Sequence, residues 1–276
     1  MRHLASVLEA LSQGDSQVLL TSHSPYFVSG KGFECIRMTR KDSGSGCTTV
    51  TQLGYKQLST DLAAALGEKP ASPSTLMAAV QQILQPSQSE MFFSQVPVLV
   101  EGIEDVACIA TYLRLTRQWD EFRRLGCHLV VCGGKTSMSR PLAIANALSI
   151  PAFAVFDADT NDTTHSKRHK RDNLCLLSLC GHDAPGLPDS SVWGNRLVMW
   201  HTRILSELKS EIGESVWNEA ESVARASLGF EEGVRQKNSL LVAACLEELW
   251  NRGQRSALLE RLCDSLLSYA RSASKD

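Results

Sequence analysis

The sequence predicts an α/β fold with a mostly parallel sheet flanked by helices, and three observations lead to this prediction. Between residues 94 and 180, short apolar runs alternate with segments of helical periodicity, as in chains of βαβ units. The runs are apolar throughout, which is typical of strands covered on both faces. Two of them end on acidic residues, Glu101 and Asp157. Because ligands of open α/β sheets bind at the carboxyl ends of the strands, we expect the functional site there.

Length and composition indicate an ordinary globular chain of about two domains. The chain has 276 residues, 43% hydrophobic and 21% charged, with a net charge of −2. Because this charge gives no global attraction to nucleic acid, such binding must use a local basic patch. The apolar runs are shorter than a membrane span and no signal-peptide pattern is visible, so we expect no membrane association. The nine cysteines show no C-x-x-C spacing, which predicts reduced core residues of a cytoplasmic protein.

The first 88 residues carry two kinds of pattern. Leu4, Leu8 and Leu11 have helical spacing, whereas the sequence after residue 32 is β-like. Residues 67–73 contain two prolines and are the best linker candidate, and we place a domain boundary near residue 88. The predicted elements of domain 1–88 are helices at 2–12, 55–66 and 74–84, a buried strand at 17–22, and a hairpin of strands at 33–39 and 47–53.

The remaining residues divide into a central domain at 89–182 and a helical C-terminal region at 183–276 that packs on it. In the central domain we predict strands at 96–100, 128–132, 152–156 and 174–179, with helices at 104–116 and 137–148. In the C-terminal region we predict a short apolar run at 196–200 and helices at 203–211, 214–226, 239–251 and 256–270.

Four acidic residues follow the two strands that end on a carboxylate. Asp105 is four residues from Glu101, so it lies in the first helical turn and can point back toward the strand end. Asp157 and Asp159 are two apart, so their side chains leave an extended segment on the same side. If the two strands are neighbours, the four carboxylates converge, which is unfavourable unless hard cations such as Mg²⁺ or Mn²⁺ occupy the cluster. Taken separately, the pairs could instead be a helix cap and a turn.

Two further acids lie near these motifs. Glu104 is three residues from Glu101, and we expect it to face solvent or to support the ligands from outside. Asp162 follows the second motif and is a candidate ligand for a second metal ion, with a turn residue as the alternative.

Basic residues flank the acidic strand ends. Residues 165–171, His-Ser-Lys-Arg-His-Lys-Arg, follow the second acidic motif and would bring positive charge beside the metals; a solvated surface loop is the alternative. At the end of the intervening strand, the Gly133-Gly134 turn offers backbone N–H groups to a phosphate. The candidate nucleic-acid-binding residues are Lys135, Arg140, Lys167, Arg168, Lys170 and Arg171.

The first 55 residues resemble the end of an ABC-type ATPase. In such proteins a strand ending in Thr-Ser-His-Ser-Pro, here residues 21–25, carries the histidine that senses the γ-phosphate, and His23 is the matching position. The phosphate-binding pattern G-x-x-x-x-G-K-[ST] is absent, because its first glycine would fall on Leu129. We therefore expect His23 to be inert in this chain. We also expect ATP to bind only a full-length protein, and a homodimer to form through an ATPase region that is missing here.

The acidic motifs resemble a second family. Val-Glu-Gly-Ile-Glu-Asp-Val at 100–106 and Phe-Asp-Ala-Asp at 156–159 are similar to the Toprim domain of primases, topoisomerases and several nucleases. The order of ATPase-like, Toprim-like and helical regions resembles the overcoming-lysogenization-defect (OLD) family nucleases. This resemblance implies a DNA endonuclease or exonuclease that uses two Mg²⁺ or Mn²⁺ ions. It implies catalytic and metal-binding roles for Glu101, Asp105, Asp157 and Asp159, and a transition-state role for Lys237.

Two other functions stay open. The E-G-x-x-D form of the first motif also occurs in primases, so a primase-like nucleotidyltransferase is one alternative, although no zinc-binding module is visible. A non-catalytic DNA-binding module of an ATPase is the other. Ribonucleotide incorporation on a single-stranded template would favour the first, and metal-independent DNA binding without turnover would favour the second.

Overall fold

The computed structural model of the chain describes residues 2–41, 45–182, 186–230 and 238–273. In the N-terminal part, the predicted helices are confirmed, and so is the hairpin, whose strands are shorter than predicted and pair antiparallel. The elements of this part are α1 (Arg2–Ser12), β1 (Met38–Lys41), β2 (Thr48–Thr51), α2 (Tyr55–Leu66), α3 (Pro73–Ile83) and the short α4 (Pro86–Ser89).

The strand predicted at 17–22 is not formed. These residues have no regular secondary structure, and their leucine side chains face solvent, with Leu19 exposed at 96%. A buried strand needs neighbouring strands for its backbone N–H and C=O groups. No strand of the described residues lies beside this segment. The prediction was wrong because the apolar run lacks the pairing partners that a buried strand requires.

A five-stranded sheet forms the centre of the fold, and its first three strands alternate with helices. Strand β3 (Val96–Val100) pairs in parallel with the two strands that follow it in the chain, so Glu101 leaves the sheet between them. The elements of this region are β3, α5 (Ile103–Leu115), α6 (Trp119–Arg124), β4 (Cys127–Val131), α7 (Lys135–Ala147), β5 (Phe153–Asp157) and α8 (Ser166–Leu179).

The strand predicted at 174–179 is wrong, because these residues form the second half of α8. Cys175, Leu176 and Leu177 are buried on its core-facing side. A short apolar run has the same composition in a buried strand and in a buried helical segment, so periodicity alone does not separate them. The helix begins at Ser166, and its first turns therefore carry the basic segment that follows the second acidic motif.

The C-terminal region completes the sheet. Its second strand, β7 (Leu197–Trp200), pairs in parallel with β5 and places Trp200 opposite Asp157, whereas β6 (Val192–Trp193) joins antiparallel at the edge. The strand order is β4-β3-β5-β7-β6, which confirms the predicted α/β class with a mostly parallel sheet flanked by helices. The helices that follow are α9 (Ile204–Ile212), α10 (Glu214–Leu228), α11 (Ser239–Asn251) and α12 (Ala257–Ala273).

Two hydrophobic clusters cover the two faces of the sheet. In β3, Val98 and Val100 enter the cluster that contains α5 and the C-terminal helices, whereas Leu99 enters the cluster that contains α7 and α8. Both sets of side chains are buried, which is why the strands are apolar throughout. Leu58 of α2 also belongs to the second cluster, so the N-terminal elements pack on α7 and α8. The division of the chain at residue 88 stays a prediction.

All nine cysteines are free thiols, and seven of them are buried, as expected for reduced core residues. Burial raises the pKa of several of these thiols, that of Cys132 and of Cys263 to about 12, which keeps them protonated and unreactive. Within the described parts of the chain, no helix combines the length and the apolar character that crossing a membrane requires.

Candidate functional site

Glu101 connects the ends of two neighbouring strands with the start of a helix. Its Oε1 accepts a hydrogen bond from the backbone N–H of Asp157 at 2.8 Å, and its Oε2 accepts one from the backbone N–H of Lys135 at 3.1 Å. The second donor lies at the N-terminus of α7, where the helix dipole favours a negative charge. The prediction that the two acid-bearing strands are neighbours is confirmed by the pairing of β3 with β5.

Asp105 lies in the first turn of α5 and points back toward the end of β3, as predicted. Its Oδ2 accepts a hydrogen bond from the backbone N–H of Gly102 at 2.8 Å. The residue is only 4% exposed. The neighbouring Glu104 is partly exposed and lines the same cavity, described below, so it stands beside the ligands and outside the buried group.

Asp157 is the last residue of β5 and is held by the C-terminal region. Its Oδ1 accepts a hydrogen bond from the backbone N–H of Ile204 at 3.0 Å, at the start of α9. Strand β7 runs beside β5 and leads directly into that helix, so the sheet itself brings the donor to the acid. We call Glu101, Asp105 and Asp157 together the acidic triad.

The electrostatics of the acidic triad fit a bound cation. Burial raises the pKa of all three carboxyls, that of Asp105 to about 7, and mutual repulsion between Asp105 and its two partners adds to the effect. Among the described residues, no Lys, Arg or His side chain forms an ion pair within 4.0 Å with a carboxylate oxygen of the triad. Buried carboxylates without a cationic partner are unfavourable unless they are protonated or bind a metal. Oxygen ligands alone favour Mg²⁺ or Mn²⁺.

Asp159 lies beside the acidic triad in a different environment. Its φ of +53° is left-handed, so the chain is not extended here and the two aspartates of the motif do not point the same way. Its Oδ1 accepts a hydrogen bond from Arg203 Nε at 2.8 Å, and its Oδ2 lies 3.0 Å from Lys135 Nζ. Burial raises the pKa of Asp159, but these two cations outweigh it, and the net pKa is lowered. Asp159 is therefore ionised and paired.

Lys135 begins α7 directly after the Gly133-Gly134 turn and is buried. Its ammonium donates to the backbone carbonyl of Asp157 at 2.6 Å as well as to Asp159. Both glycines have positive φ, +73° and +112°, a conformation that favours glycine and that lets the chain reverse onto Glu101. The phosphate contact predicted for Lys135 stays a prediction. In this structure the Lys135 ammonium instead contacts the Asp157 carbonyl and the Asp159 carboxylate.

The acidic triad lines a cavity of about 550 Å³. Residues after β7 supply much of its remaining polar lining, and they include two cations, Arg203 and Lys209. Lys209 is mostly buried and lies 3.6 Å from Glu221. Our reading of the sequence missed both cations. The only signal for Arg203 is that it follows the apolar run at 196–200. That run pairs with β5 in the sheet, but the local sequence does not specify this pairing.

A second cavity, of about 250 Å³, also has Glu101 in its lining. Its lining includes Asp159 and the residues Asp162, His165 and His169, which contact one another at the start of α8. Asp162 is thus not part of the acidic triad. The two histidines were read only as members of a basic segment, although their spacing of four residues puts them on one side of a helix.

The predicted nucleic-acid contacts are distributed around α7 and α8. Lys167 and Lys170 are exposed, and Arg140 is half-buried on α7. Arg168 donates to Thr136 Oγ1 at 2.8 Å and lines the second cavity. Arg171 faces away from it and forms an ion pair with Glu68 at 2.6 Å. Their roles in binding stay predictions.

Lys237 and His23 are two further residues that the sequence singled out. Lys237 falls outside the residues that the structure describes. His23 is exposed and lies near Phe93, with the ring centroids 6.5 Å apart.

Comparison with known proteins identifies the central segment. No curated protein matches the chain. The chain is similar to the solved C-terminal region of the Xanthomonas campestris pv. campestris OLD protein, with 14% identity, coverage of 66% of this chain and 98% of that chain, and a TM-score of 0.42. It is also similar to the C-terminal region of the Burkholderia pseudomallei OLD protein, with 16% identity, coverage of 66% of this chain and 99% of that chain, and a TM-score of 0.40.

One family model matches, that of the Toprim domain of overcoming-lysogenization-defect protein-like proteins, over residues 92–159. The matched segment begins just before β3 and ends on Asp159, so it contains both acidic motifs and the whole acidic triad. Residues 92–159 therefore belong to the OLD-like Toprim family.

Proposed function

We propose that the acidic triad holds Mg²⁺ or Mn²⁺ and that the chain hydrolyses phosphodiester bonds in DNA. The observation that carries this proposal is the convergence of three carboxylates on the wall of a cavity of about 550 Å³. Glu101 and Asp157 are half-buried at the ends of two adjacent parallel strands, and Asp105 is buried in the first turn of α5. The Toprim family of residues 92–159 supports a metal-dependent, nuclease-type activity in general. Hydrolysis of DNA with two ions is the specific activity that we propose for this site.

The triad residues are preorganised to bind cations. Each carboxylate is fixed by at least one backbone N–H, so its position does not depend on a flexible side-chain partner. Carboxylate oxygens have further lone pairs after one hydrogen bond, and these remain for metal ligation. When bound, divalent cations neutralise charge on the scissile phosphate and lower the pKa of water. Asp159 supports the triad by fixing Lys135 and Arg203 beside it.

Two cationic side chains among the described residues line the cavity, Arg203 and Lys209, and they can bind a phosphate group of the substrate. Arg203 donates to Asp159 through Nε, which leaves its terminal nitrogens for a second anion. Lys209 also lines the cavity, and it would contribute positive charge close to the reacting phosphate. The transition-state role proposed for Lys237 is kept as a second source of such charge. Exposed Lys167 and Lys170 would contact the DNA backbone farther from the triad.

The proposal is tested by nicking of supercoiled plasmid by the whole chain with Mg²⁺ or Mn²⁺. Glu101→Gln, Asp105→Asn and Asp157→Asn each remove one negative charge and should abolish cleavage while the fold is kept. Asp120→Asn is the matched control, because Asp120 is an exposed acid in the first turn of another helix. Cleavage that survives in the triad variants, or that persists in excess chelator, would rule out the proposed site.

The same proteins distinguish a nuclease from the two alternative functions. Labelled ribonucleotides incorporated on a single-stranded template, with loss in Asp157→Asn, would replace hydrolysis by primase-like transfer. Binding of labelled DNA that is equal with and without Mg²⁺, and that leads to no product, would indicate a binding module.

A further inference from the structure

We propose a second metal centre, built from Asp162, His165 and His169, that binds a borderline transition-metal dication such as Zn²⁺. One ligand atom of each residue lies within 4.8 Å of the others. The cluster sits at the start of α8 and lines the second cavity, and none of its three residues belongs to the acidic triad. The inference rests on these side chains alone and does not depend on nuclease activity.

Two of the three distances between the donor atoms are those that one tetrahedral ion requires, and the third is at most 4.8 Å. Asp162 Oδ2 lies 3.2 Å from Nδ1 of His165 and 3.3 Å from Nε2 of His169. In a tetrahedral zinc site with bonds of about 2.0–2.1 Å, neighbouring ligand atoms are separated by roughly 3.3 Å. The three side chains therefore need little movement to share an ion.

Local structure explains why these donors converge. His165 precedes α8 and His169 lies four residues later, so both rings are on one side of the helix start. The backbone N–H groups of Thr164 and His165 lie 2.9 and 3.3 Å from Asp162 Oδ1 and donate to it. These two bonds fix the carboxylate through one oxygen and direct the other toward the imidazoles.

An outer carboxylate supports one of the imidazoles. His169 has Nε2 toward Asp162, and its Nδ1 lies 3.5 Å from Oδ2 of Asp159. Metal-binding histidines usually donate the second ring N–H to a carboxylate or a carbonyl, which fixes the tautomer and makes the ligand nitrogen more basic. Asp159 is itself held by Lys135 and Arg203, so the orientation of His169 is fixed through two layers of contacts.

The ligand types select the metal. Imidazole nitrogens bind Zn²⁺, Co²⁺ and Ni²⁺ in preference to Mg²⁺, whereas the oxygen-only triad favours Mg²⁺ or Mn²⁺. Two histidines and one aspartate leave a fourth position, which is typical of metal sites that hold water or an anion. That position can be reached, because the His165 side chain is 58% exposed and the cavity is also lined by Arg168.

The test is a Zn²⁺ titration of the metal-free whole chain against a chromophoric chelator, with Mg²⁺ in excess so that the acidic triad does not compete. We expect one Zn²⁺ per chain. His165→Ala and His169→Ala should each weaken binding on the order of 100-fold, and Asp159→Asn about 10-fold, as for outer-contact changes at other metal sites. Co²⁺ in the same site should give a tetrahedral absorption spectrum without thiolate charge-transfer bands.

Two control variants and one fold measurement make the result specific. His128 lies 2.6 Å from Glu90 and forms a histidine–carboxylate pair outside the proposed site. Because this pair includes no second histidine, His128→Ala should not change the Zn²⁺ affinity. His3→Ala, at an exposed position of α1, should also leave it unchanged. Circular dichroism checks that each variant is folded. Unchanged affinity in His169→Ala, equal loss in His128→Ala, displacement by Mg²⁺, or thiolate bands with Co²⁺ would each overturn the proposal.

Discussion

Glu101 accepts a hydrogen bond from the backbone N–H of Asp157 at 2.8 Å, so the ends of two parallel strands are joined through an acid side chain. Asp157 accepts in turn from Ile204, which extends the chain of contacts to the end of a third strand. The position of each carboxylate is therefore set by the sheet. A mutation that shifts one strand end would displace its neighbours as well.

Neutralising Asp105 should stabilise the metal-free protein. The side chain is buried without a cationic partner, and Asn keeps an oxygen that can accept from the N–H of Gly102. We expect Asp105→Asn to raise the free energy of unfolding at pH 8 by roughly 1–4 kcal/mol. Urea denaturation in excess chelator measures it, with the exposed Asp120→Asn as control. A destabilised Asp105→Asn protein would mean that the carboxylate is compensated by a partner.

The stability of the metal-free protein should fall as the pH rises from about 4 to about 7. The pKa of Asp105 is raised by burial from 3.8 to about 7, so in this window the folded state holds more protons than the unfolded state. The shift corresponds to at most about 4 kcal/mol. Thermal unfolding of wild type and Asp105→Asn across the window isolates this contribution, which should appear as a difference that grows with pH. A constant difference would contradict the raised pKa.

Divalent cations should reverse that loss of stability. At a Mn²⁺ concentration of 100 times the Kd, binding to the folded state alone contributes about 2.7 kcal/mol. We expect the melting temperature at pH 8 to rise with Mn²⁺ in wild type and in the His165→Ala variant, but not in Glu101→Gln. Because Asp105 must lose its proton to bind, calorimetry at pH 6 should also detect proton release, and the absence of any proton release would exclude Asp105 as a ligand.

Lys135→Met should strongly destabilise the chain. It removes a buried ammonium from the half-buried carboxylate of Asp159, which keeps Arg203 and the more distant His169, and it removes the donor to the Asp157 carbonyl. Removal of one partner from a buried pair costs roughly 3–5 kcal/mol. Lys31→Met is the matched control, since its pair with Glu9 is exposed and its loss should change stability little. Chemical denaturation of both variants decides the matter, and equal effects would show that burial of Lys135 is not the cause.

The lysines at the start of α8 should make DNA binding depend on salt. Lys167 and Lys170 are exposed, so each can neutralise one phosphate and release a counterion. In an Asp157→Asn background that does not cleave, changing both to Ala should reduce the slope of log affinity against log salt by about 1.8. Fluorescence anisotropy of labelled DNA measures the affinity at salt concentrations between about 50 and 200 mM, a range over which phosphate contacts change it strongly. An unchanged slope would place the DNA elsewhere.

The sequence was informative about the acidic strand ends because both signals are local. An apolar run that ends on Glu101 or Asp157 implies a strand and the placement of its last side chain, and the structure confirms that these two strands are neighbours. The path after Asp157 was not predictable in the same way. Ala158 and Asp159 donate their N–H groups to Trp200 and Thr202, and these contacts with the loop after β7 accompany a left-handed Asp159.

The cationic residues in the cavity of the acidic triad are placed there by the strand order, which is a long-range property of the fold. Arg203 reaches Asp159 because β7 pairs with β5, and no local pattern specifies that partner. The helix at 174–179 was missed for a related reason. Whether Leu176 and Leu177 are buried by a sheet or by helices depends on what packs against them, and both environments select the same side chains.

The pairing of β7 with β5 also has a consequence for the order in which the protein becomes competent during synthesis. A nascent chain folds from its N-terminus as it leaves the ribosome. Once β5 has emerged, all of the acidic triad is present, but the N–H of Ile204 that holds Asp157 is still more than forty residues away in the sequence. We expect the acids to be made first and aligned later, so that a partly synthesised chain carries the ligands of a metal site without its geometry.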